Sequence, residues 1–441
     1  MAQKMKLMSM ERINRSVPVK SIQVNTRNAR THSKKQIRDI AASMRACGFG
    51  APLLVDENLT LIAGHGRLKA AEEVGLEEIP VVELRGLTDA QKRALTLADN
   101  KLALNAGWDE DILATELTAL QGLDLDFEIN LTGFSAAEID DLVEGQSHEE
   151  PGDPKDDHLP QEDGRPLCRP GDIWALGRHR LICGNALCPD TVAALAQGER
   201  AQMVFTDPPY NVPIEGHVST SAAIQHREFA MASGEMSSAQ FTSFLKSAFV
   251  NLTAHSHAGA IHLICMDWRH IREVLDASNG VYSEFKNLII WVKDNGGMGT
   301  FYRSRHELIF AFKSGSGPHI NNFELGQHGR YRTNVWEYRG ANTFKAGRLQ
   351  DLALHPTVKP VQMIADAIKD LSVRGSIVLD LFGGSGSTLI AAHKTGRRAF
   401  LCEIDPLYCD RIIRRWERYA KDEAVQIACG VGGHADREYT K

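Results

Sequence analysis

The sequence predicts an α/β protein in two parts: a small N-terminal α/β domain and a larger domain built on a doubly wound, Rossmann-like sheet. In both parts, short β-branched apolar runs alternate with amphipathic helical segments, which is the pattern of α/β folds. A glycine-rich turn joins a strand to a helix in "IVLDLFGGSGSTLIAAH", residues 377–393, as in nucleoside-binding βαβ units. Residues 138–166 are acidic and rich in proline and glycine, which favours a linker between the parts.

Composition narrows the class of protein. The 441 residues are 43% hydrophobic and 24% charged, and no apolar run approaches the roughly 20 residues that span a bilayer. The basic N-terminus lacks an apolar signal core, so we expect no export signal and a cytoplasmic protein. The eight cysteines lack zinc spacing, so we expect free thiols and no metal site. Although the net charge is −6, residues 1–45 are basic. This segment suits binding to a polyanion, or alternatively it is a solvated surface.

The elements of the N-terminal part follow from local patterns. Residues 33–50, "SKKQIRDIAASMRACGFG", carry apolar positions at helical spacing and end on glycine. Residues 51–64 predict two short strands around an Asp-Glu-Asn turn, residues 65–75 a helix, and residues 79–84 a strand. Residues 88–103 predict an amphipathic helix with a threonine N-cap.

These segments resemble the ParB-like domain over about Pro18–Leu104, most clearly in "IAGHGRLKAAEEVG". The corresponding box of that family usually has two adjacent arginines, whereas here Gly66 and Arg67 take those places. The resemblance therefore implies DNA association or protein contact rather than nucleotide hydrolysis or nuclease action. Arg67 and Lys69 lie near a helix start that can receive a phosphate. Alternatively, they are surface charges.

The glycine turn of the C-terminal part is typical of a nucleoside site. Glycines let the backbone approach a ligand, and the helix start faces it. The next strand, in "RRAFLCEIDP", ends at Glu403, whose carboxylate can accept hydrogen bonds from ribose hydroxyls. Leu389 stands where a dinucleotide enzyme has its third glycine. Asp380 would repel a pyrophosphate but suits a positively charged cofactor such as S-adenosylmethionine.

A second motif, "FTDPPYN" at residues 205–211, follows an apolar run that predicts a buried strand. A nucleobase amine is a poor nucleophile because its lone pair is delocalised into the ring. The Asp207 carboxylate and the Pro208 carbonyl can accept hydrogen bonds from its two hydrogens. The consecutive prolines Pro208 and Pro209 fix the direction of that carbonyl. Tyr210 offers a face for a base removed from its stack, worth about 1–3 kcal/mol. The alternative is a rigid turn with a capping aspartate.

With these motifs together, the region from about Pro170 to Tyr419 resembles the DNA amino-methyltransferases that modify adenine N6 or cytosine N4. D-P-P-Y comes before the glycine turn, which matches the permuted beta class. The resemblance implies a Rossmann-like methyltransferase sheet, S-adenosylmethionine as cofactor, and a target base flipped out of duplex DNA. Because Asp rather than Ser opens D-P-P-Y, the resemblance favours adenine N6, with cytosine N4 as the alternative.

The same resemblance implies a set of cofactor-binding residues. "HPTVKP" matches the box that encloses the methionine end, although its threonine can instead cap the helix that follows. Asn185 stands where the family has an aspartate near the cofactor adenine, and its amide oxygen can still accept a hydrogen bond. The expected cofactor-binding residues are Asp380, Phe382, Gly383, Gly384, Gly386, Glu403, Asp405, Asn185, His355, Thr357 and Lys359.

The long insert between the motifs, residues 212–354, is by elimination the target-recognition region. Its apolar runs "LIIWV" and "LIFAF" predict core strands. The loop between them is basic and aromatic, so we expect DNA contacts there, with solvated charges as the alternative. The candidate DNA-binding residues are Lys293, Arg303 and Arg305, with Lys313 as a further basic residue and Phe301 and Tyr302 as stacking or wedge residues.

We expect a basic tail at 1–17, a ParB-like domain with following helices at 18–137, an acidic linker at 138–166, a methyltransferase domain at 167–425 and a tail at 426–441. Double-stranded DNA is the expected partner, while a homodimer and a cognate restriction nuclease are left open. Two rival hypotheses remain. One is a ParB-like DNA-binding adaptor with a degenerate catalytic half, and the other is a nicotinamide oxidoreductase.

Overall fold

The computed structural model describes residues 11–123, 129–146, 156, 167–212, 234–294, 302–323, 332–340 and 358–429. The chain divides into two compact units, Met1–Ser147 and His148–Lys441. Both units are α/β, so the predicted fold class is confirmed. Within those residues, no helix has the length and apolar character needed to cross a membrane.

The N-terminal unit has a four-stranded sheet in the order β1-β4-β2-β3. Strand β1 is antiparallel to β4, while β2 is parallel to β4 and antiparallel to β3. The strands are β1 (Glu11–Pro18), β2 (Leu53–Asp56), β3 (Leu61–Ala63) and β4 (Glu78–Arg85). The helices are α1 (Lys34–Cys47), α2 (His65–Val74), α3 (Asp89–Leu102), α4 (Glu110–Gly122) and α5 (Ala136–Gln146).

Helix ends in this unit follow the predicted signals. The Ser33 side chain accepts a hydrogen bond from the Gln36 N–H to start α1, which ends at Gly48 with φ 79°. Thr88 forms a capping box with Gln91 at the start of α3, as its sequence predicts.

Two elements of this unit differ from the sequence-based expectation. Strand β1 lies largely in the predicted basic tail, and Val17 alone is fully buried in it, so its sequence carries little apolar alternation. Helix α5 continues into the predicted acidic linker. The Ile139 side chain is buried there, so apolar packing stabilises this part of the helix.

The C-terminal unit has a ten-stranded mixed sheet. Its strands are β5 (Ile173–Leu176), β6 (His179–Cys183), β7 (Ala201–Thr206), β8 (Ser256–Met266), β9 (Glu284–Val292), β10 (His306–Lys313), β11 (Val335–Glu337), β12 (Ile377–Asp380), β13 (Arg398–Glu403) and β14 (Val425–Ala428). The order is β11-β9-β10-β8-β7-β12-β13-β6-β5-β14. Strands β8, β7, β12, β13 and β6 form a parallel centre. Antiparallel strands flank it on both sides.

Helices cover both faces of this sheet, as a doubly wound fold requires. They are α6 (Pro189–Ala196), α7 (Ser238–Ala254), α8 (Ile271–Ser278), α9 (Val361–Leu371), α10 (Ser387–Lys394) and α11 (Pro406–Ala420). Met203 and Phe205 of β7 belong to the core with α9, α10 and α11. Val204 between them belongs to the core with α6, α7 and α8. This alternation is the two-residue period of a strand buried on both sides.

Candidate active site

The predicted catalytic and cofactor motifs meet at one edge of the C-terminal sheet. Strands β7 and β12 are parallel neighbours, so their carboxyl ends lie side by side. Strand β7 ends at Thr206, directly before Asp207, and β12 ends at Asp380. The Thr206 hydroxyl donates a 2.8 Å hydrogen bond to Asp380 Oδ1. The turn that carries D-P-P-Y is therefore tied to the acid of the glycine turn.

Asp380 is a buried acid surrounded by hydrogen-bond donors. Besides Thr206, the Thr388 hydroxyl donates to Oδ2 at 2.7 Å and the Phe382 N–H to Oδ1 at 3.1 Å. Burial raises the pKa of Asp380 to about 7, although these hydrogen bonds act in the opposite direction. Such a carboxyl gains most from a nearby positive charge, because a cation would keep it ionised.

The glycine turn leaves room for close backbone contacts. The Gly383 N–H donates to the Cys402 carbonyl at 2.9 Å, and a Cβ on Gly383 would lie 3.2 Å from Ile412 Cδ1. Gly386 has φ 79° and is the N-cap of helix α10, and a positive φ favours glycine there. Leu389 is buried in the core, consistent with a packing role at that position.

Glu403 is joined to this turn by its side chain. Its Oε2 accepts from the Gly384 N–H at 2.8 Å, and its Oε1 accepts from the Asp405 N–H at 2.9 Å. Burial raises the pKa of Glu403 to about 7. Hydrogen bonds therefore join Glu403 to the glycine turn, which begins directly after Asp380. The role of these residues in cofactor binding stays a prediction.

Three other predicted cofactor residues have local structural contacts. Asp405 accepts from the Leu407 N–H at 2.9 Å and caps α11. Asn185 Oδ1 accepts from the Leu187 N–H at 2.9 Å. Phe382 packs near the Phe244 ring, with a centroid distance of 5.9 Å. Their contacts with a cofactor stay predictions, and His355 and Thr357 lie outside the described residues.

The D-P-P-Y turn presents a carboxylate with both oxygens engaged. The Tyr210 hydroxyl donates to Asp207 Oδ1 at 2.7 Å, and Lys359 Nζ donates to Oδ2 at 2.5 Å. Pro208 is buried and Pro209 half-buried. Asn211 follows with φ 52° and bonds the backbone of Met236, which fixes the end of the turn.

Glu307 is a site residue that the sequence analysis missed. It lies near the start of β10, which is antiparallel to β8 and therefore begins at the edge where the parallel strands end. Its Oε2 is 3.0 Å from the Tyr210 hydroxyl and 3.1 Å from Lys359 Nζ, and its Oε1 contacts Lys293 Nζ. The sequence signal was a charged residue beside the apolar run "LIFAF".

This group is a compact cluster of two acids and two lysines. Burial raises the pKa of Asp207, with the Glu307 charge adding to the rise and Lys359 opposing it. Burial also acts to raise the pKa of Glu307, but Lys359 and Lys293 outweigh it and lower that pKa to about 2. Burial opposes the charge on Lys359, yet Asp207 and Glu307 hold its pKa above the ordinary value. Glu307 is thus the more firmly ionised carboxyl.

The predicted DNA-binding residues fall at different places on the β9–β10 hairpin. Lys293 pairs with Glu307 and lies over the Trp291 ring. Arg303 is exposed, and Arg305 donates from Nε to the Lys293 carbonyl at 3.0 Å. Tyr302 is exposed, whereas Phe301 lies outside the described residues. Lys313 lies at the opposite end of β10, about 20 Å from Glu307 along the strand, so it lies apart from the other candidate DNA-binding residues.

Known families match both units. A profile described as DNA methylase matches residues 201–414, and a ParB N-terminal domain profile matches residues 2–101. The chain belongs to the DNA methylase family, with a ParB N-terminal domain. A ParB-methyltransferase HTH domain profile matches residues 111–170. That range overlaps the predicted acidic linker of this DNA methylase, so its domain boundaries stay a prediction.

Individual relatives cover different parts of this DNA methylase. The ParB-like nuclease domain-containing protein YnaK of Escherichia coli (strain K12) is 42% identical over 76 residues, 17% of this chain and 87% of that protein. The type II methyltransferase M.HpaI of Haemophilus parainfluenzae is 26% identical over 250 residues, 53% of this chain and 72% of that protein. The M1.HpyAVI–SAM complex has 16% identity and a TM-score of 0.37, covering 54% of this chain and 98% of that one.

Membership in this family confirms the predicted resemblance and removes the nicotinamide oxidoreductase hypothesis. The N6/N4 DNA methylase activity is the activity of the family.

Proposed function

We propose that this DNA methylase transfers a methyl group to the exocyclic amine of a base flipped out of duplex DNA, with adenine N6 as the first choice. The observation that carries the proposal is the 2.8 Å hydrogen bond between Thr206 and Asp380. It links the turn suited to an amine with the acid suited to a cationic cofactor. One substrate nitrogen can then lie between the two.

S-adenosylmethionine is the cofactor in this proposal. Asp380, with its raised pKa, fits a cationic ligand. Gly383 has no side chain, so its backbone can approach a ligand closely. Asp380, Gly384 and Glu403 would hold the cofactor, which supplies an electrophilic methyl group on a sulfonium.

The chain's own residues prepare the amine. The Asp207 carboxylate and the Pro208 carbonyl accept hydrogen bonds from the two amine hydrogens. These hydrogen bonds draw the nitrogen toward tetrahedral geometry and free its lone pair. When the nitrogen takes the methyl group, the sulfur–methyl bond of the sulfonium would break to leave a neutral thioether, and the amine would lose one proton. Asp207 suits that proton because burial raises its pKa. Tyr210 supports the base through stacking.

Adenine is preferred over cytosine on the resemblance of D-P-P-Y to the adenine enzymes, and cytosine N4 is the second candidate. Duplex DNA is the partner, and the exposed Arg303 and Arg305 are proposed to contact its phosphates. A cytoplasmic location is part of the same proposal. A homodimer and a cognate nuclease remain predictions.

The test is methyl transfer into unmethylated duplex DNA followed by mass spectrometry of the released nucleosides. Wild type is expected to yield N6-methyladenine, and Asp207→Ala to yield none above background. N4-methylcytosine would select the second candidate. Transfer undiminished in Asp207→Ala would overturn the mechanism. No transfer by wild type on diverse DNA would favour the rival adaptor with a degenerate catalytic half.

A further inference from the structure

The Lys359 ammonium lies between two carboxylates at the proposed amine site. Its Nζ is 2.5 Å from Asp207 Oδ2 and 3.1 Å from Glu307 Oε2. The Lys359 side chain is 5% exposed, and Glu307 is 11% exposed. Lys359 also lies over the Tyr210 ring, 5.3 Å from its centroid. A buried ammonium with two acceptors can exchange one for the other by a small side-chain movement.

The target amine and Lys359 require the same acceptor. Each oxygen of the Asp207 carboxylate already has a donor, Tyr210 on Oδ1 and Lys359 on Oδ2. An amine that donates to Asp207 must share or replace one of them. Lys359 can give way without leaving its charge unpaired, because Glu307 is already within hydrogen-bond distance. Without such a partner, an unpaired buried charge would be strongly destabilising.

We propose that Glu307 is a positioning residue that holds Lys359 beside Asp207 and retains it when the target amine takes the Lys359 place on the Asp207 carboxylate. This inference rests on the proposed amine chemistry of Asp207. It gives Glu307 a role in the reaction without contact with the base or the cofactor.

The surroundings of Glu307 suit this role. Lys293 contacts its other oxygen, which keeps the carboxylate in position. The lysines keep Glu307 ionised, whereas Asp207 is the weaker acid of the pair. Tyr210, Lys359 and Glu307 face Asp207 directly, and Cys265 and Asp380 interact with its charge from neighbouring strands. Of these groups, Glu307 alone is an acid that contacts Lys359 and lies outside the D-P-P-Y turn.

The first test does not depend on methyl transfer. Competitive acylation with acetic anhydride, read by mass spectrometry, measures how much of Lys359 is the reactive free amine. In Glu307→Gln the Lys359 pKa falls, so its labelling at pH 9 should rise severalfold. Glu284→Gln is the matched control, since Glu284 is exposed at the far end of the same hairpin and pairs with Lys286 at 3.0 Å. Equal Lys359 labelling in all three proteins would overturn the proposal.

The second test asks whether Glu307 acts on the reaction. Glu307→Gln should lower kcat by roughly 10- to 100-fold with little change in KM for DNA. It should also move the acid limb of the rate–pH curve to lower pH, because the Glu307 charge raises the Asp207 pKa. Glu307→Asp, which keeps the charge, should return that limb toward wild type.

The outcomes separate this inference from the proposed function. An unshifted acid limb in a folded Glu307→Gln protein would overturn the inference while the methylase activity of wild type stands. Absence of activity in wild type would contradict the proposed function, and with it the retention of Lys359 during amine binding. The labelling result would then still decide whether Glu307 holds Lys359.

Discussion

The hydroxyl of Thr206 and the carboxylate of Asp380 are joined by a 2.8 Å hydrogen bond across neighbouring parallel strands. Thr206 is buried, as is Asp380, so the bond is shielded from water and its strength is not lost to solvent. The two residues belong to different motifs of the sequence. Their contact places the proposed amine site and the proposed cofactor site within one rigid edge of the sheet.

Replacement of Thr206 by valine should weaken cofactor binding. Valine keeps the shape but removes a donor from Asp380, and a hydrogen bond to a charged group is worth about 1.5–3 kcal/mol. We expect S-adenosylmethionine to bind about tenfold more weakly at pH 7 by calorimetry. The loss should be smaller at pH 9, where Asp380 is ionised in both proteins. Thr242→Val on the surface of α7, whose hydroxyl donates to the Ser238 carbonyl, should leave the affinity unchanged.

Replacement of Asp380 by asparagine should remove the loss of stability that this carboxyl causes as pH rises from about 4 to about 7. Burial raises the pKa of Asp380 from 3.8 to about 7, so its stabilising protonated form is fully present below pH 3.8 and is lost as pH rises through 7. The ligand-free variant should therefore gain stability over wild type at pH 8, by up to about 4 kcal/mol. It should lose thermal stabilisation by S-adenosylmethionine. Thermal unfolding at pH 5 and pH 8, with and without S-adenosylmethionine, checks both predictions. A variant that is less stable than wild type at pH 8 but not at pH 5 would contradict the raised pKa of Asp380.

Gly386 and Gly280 form a matched pair for the glycine turn. Both have positive φ, 79° and 75°, but a Cβ on Gly386 would meet Ile412 at 3.2 Å while one on Gly280 would meet nothing within 4 Å. Each alanine variant should lose about 1 kcal/mol from backbone strain. Gly386→Ala should lose more, and it alone should weaken cofactor binding. If the two alanine variants lost the same stability and bound the cofactor equally well, the turn would tolerate a side chain at Gly386.

How far the sequence predicted this site depends on how local each signal is. The strand ends at Asp207, Asp380 and Glu403 and the glycine turn follow from short patterns, so they were predicted. Glu307 was not predicted, because its place beside Asp207 depends on β10 pairing antiparallel to β8. Neither segment's sequence determines which strands pair. The Thr206 contact was missed for the same reason, since it joins strands 174 positions apart in the chain.

The two exposed arginines of the hairpin should contribute to DNA affinity through phosphate contacts. Arg303→Ala and Arg305→Ala are each expected to raise KM for DNA and to reduce the slope of log KM against log salt by about 1. Their kcat should stay near wild type. Lys313→Ala is the control, because Lys313 lies at the other end of β10. An equal effect in the control would mean that the hairpin acts through net charge rather than contact.

In the proposed mechanism, the D-P-P-Y turn activates the amine while the neighbouring Asp380 holds the cofactor. The most direct measurement is single-turnover methyl transfer alongside cofactor affinity in Asp207→Asn and Asp380→Asn. We predict that Asp207→Asn loses at least about 100-fold in rate with an unchanged Kd for S-adenosylmethionine, while Asp380→Asn loses cofactor affinity. A wild-type rate in Asp207→Asn, or an unchanged Kd in Asp380→Asn, would contradict this division of roles.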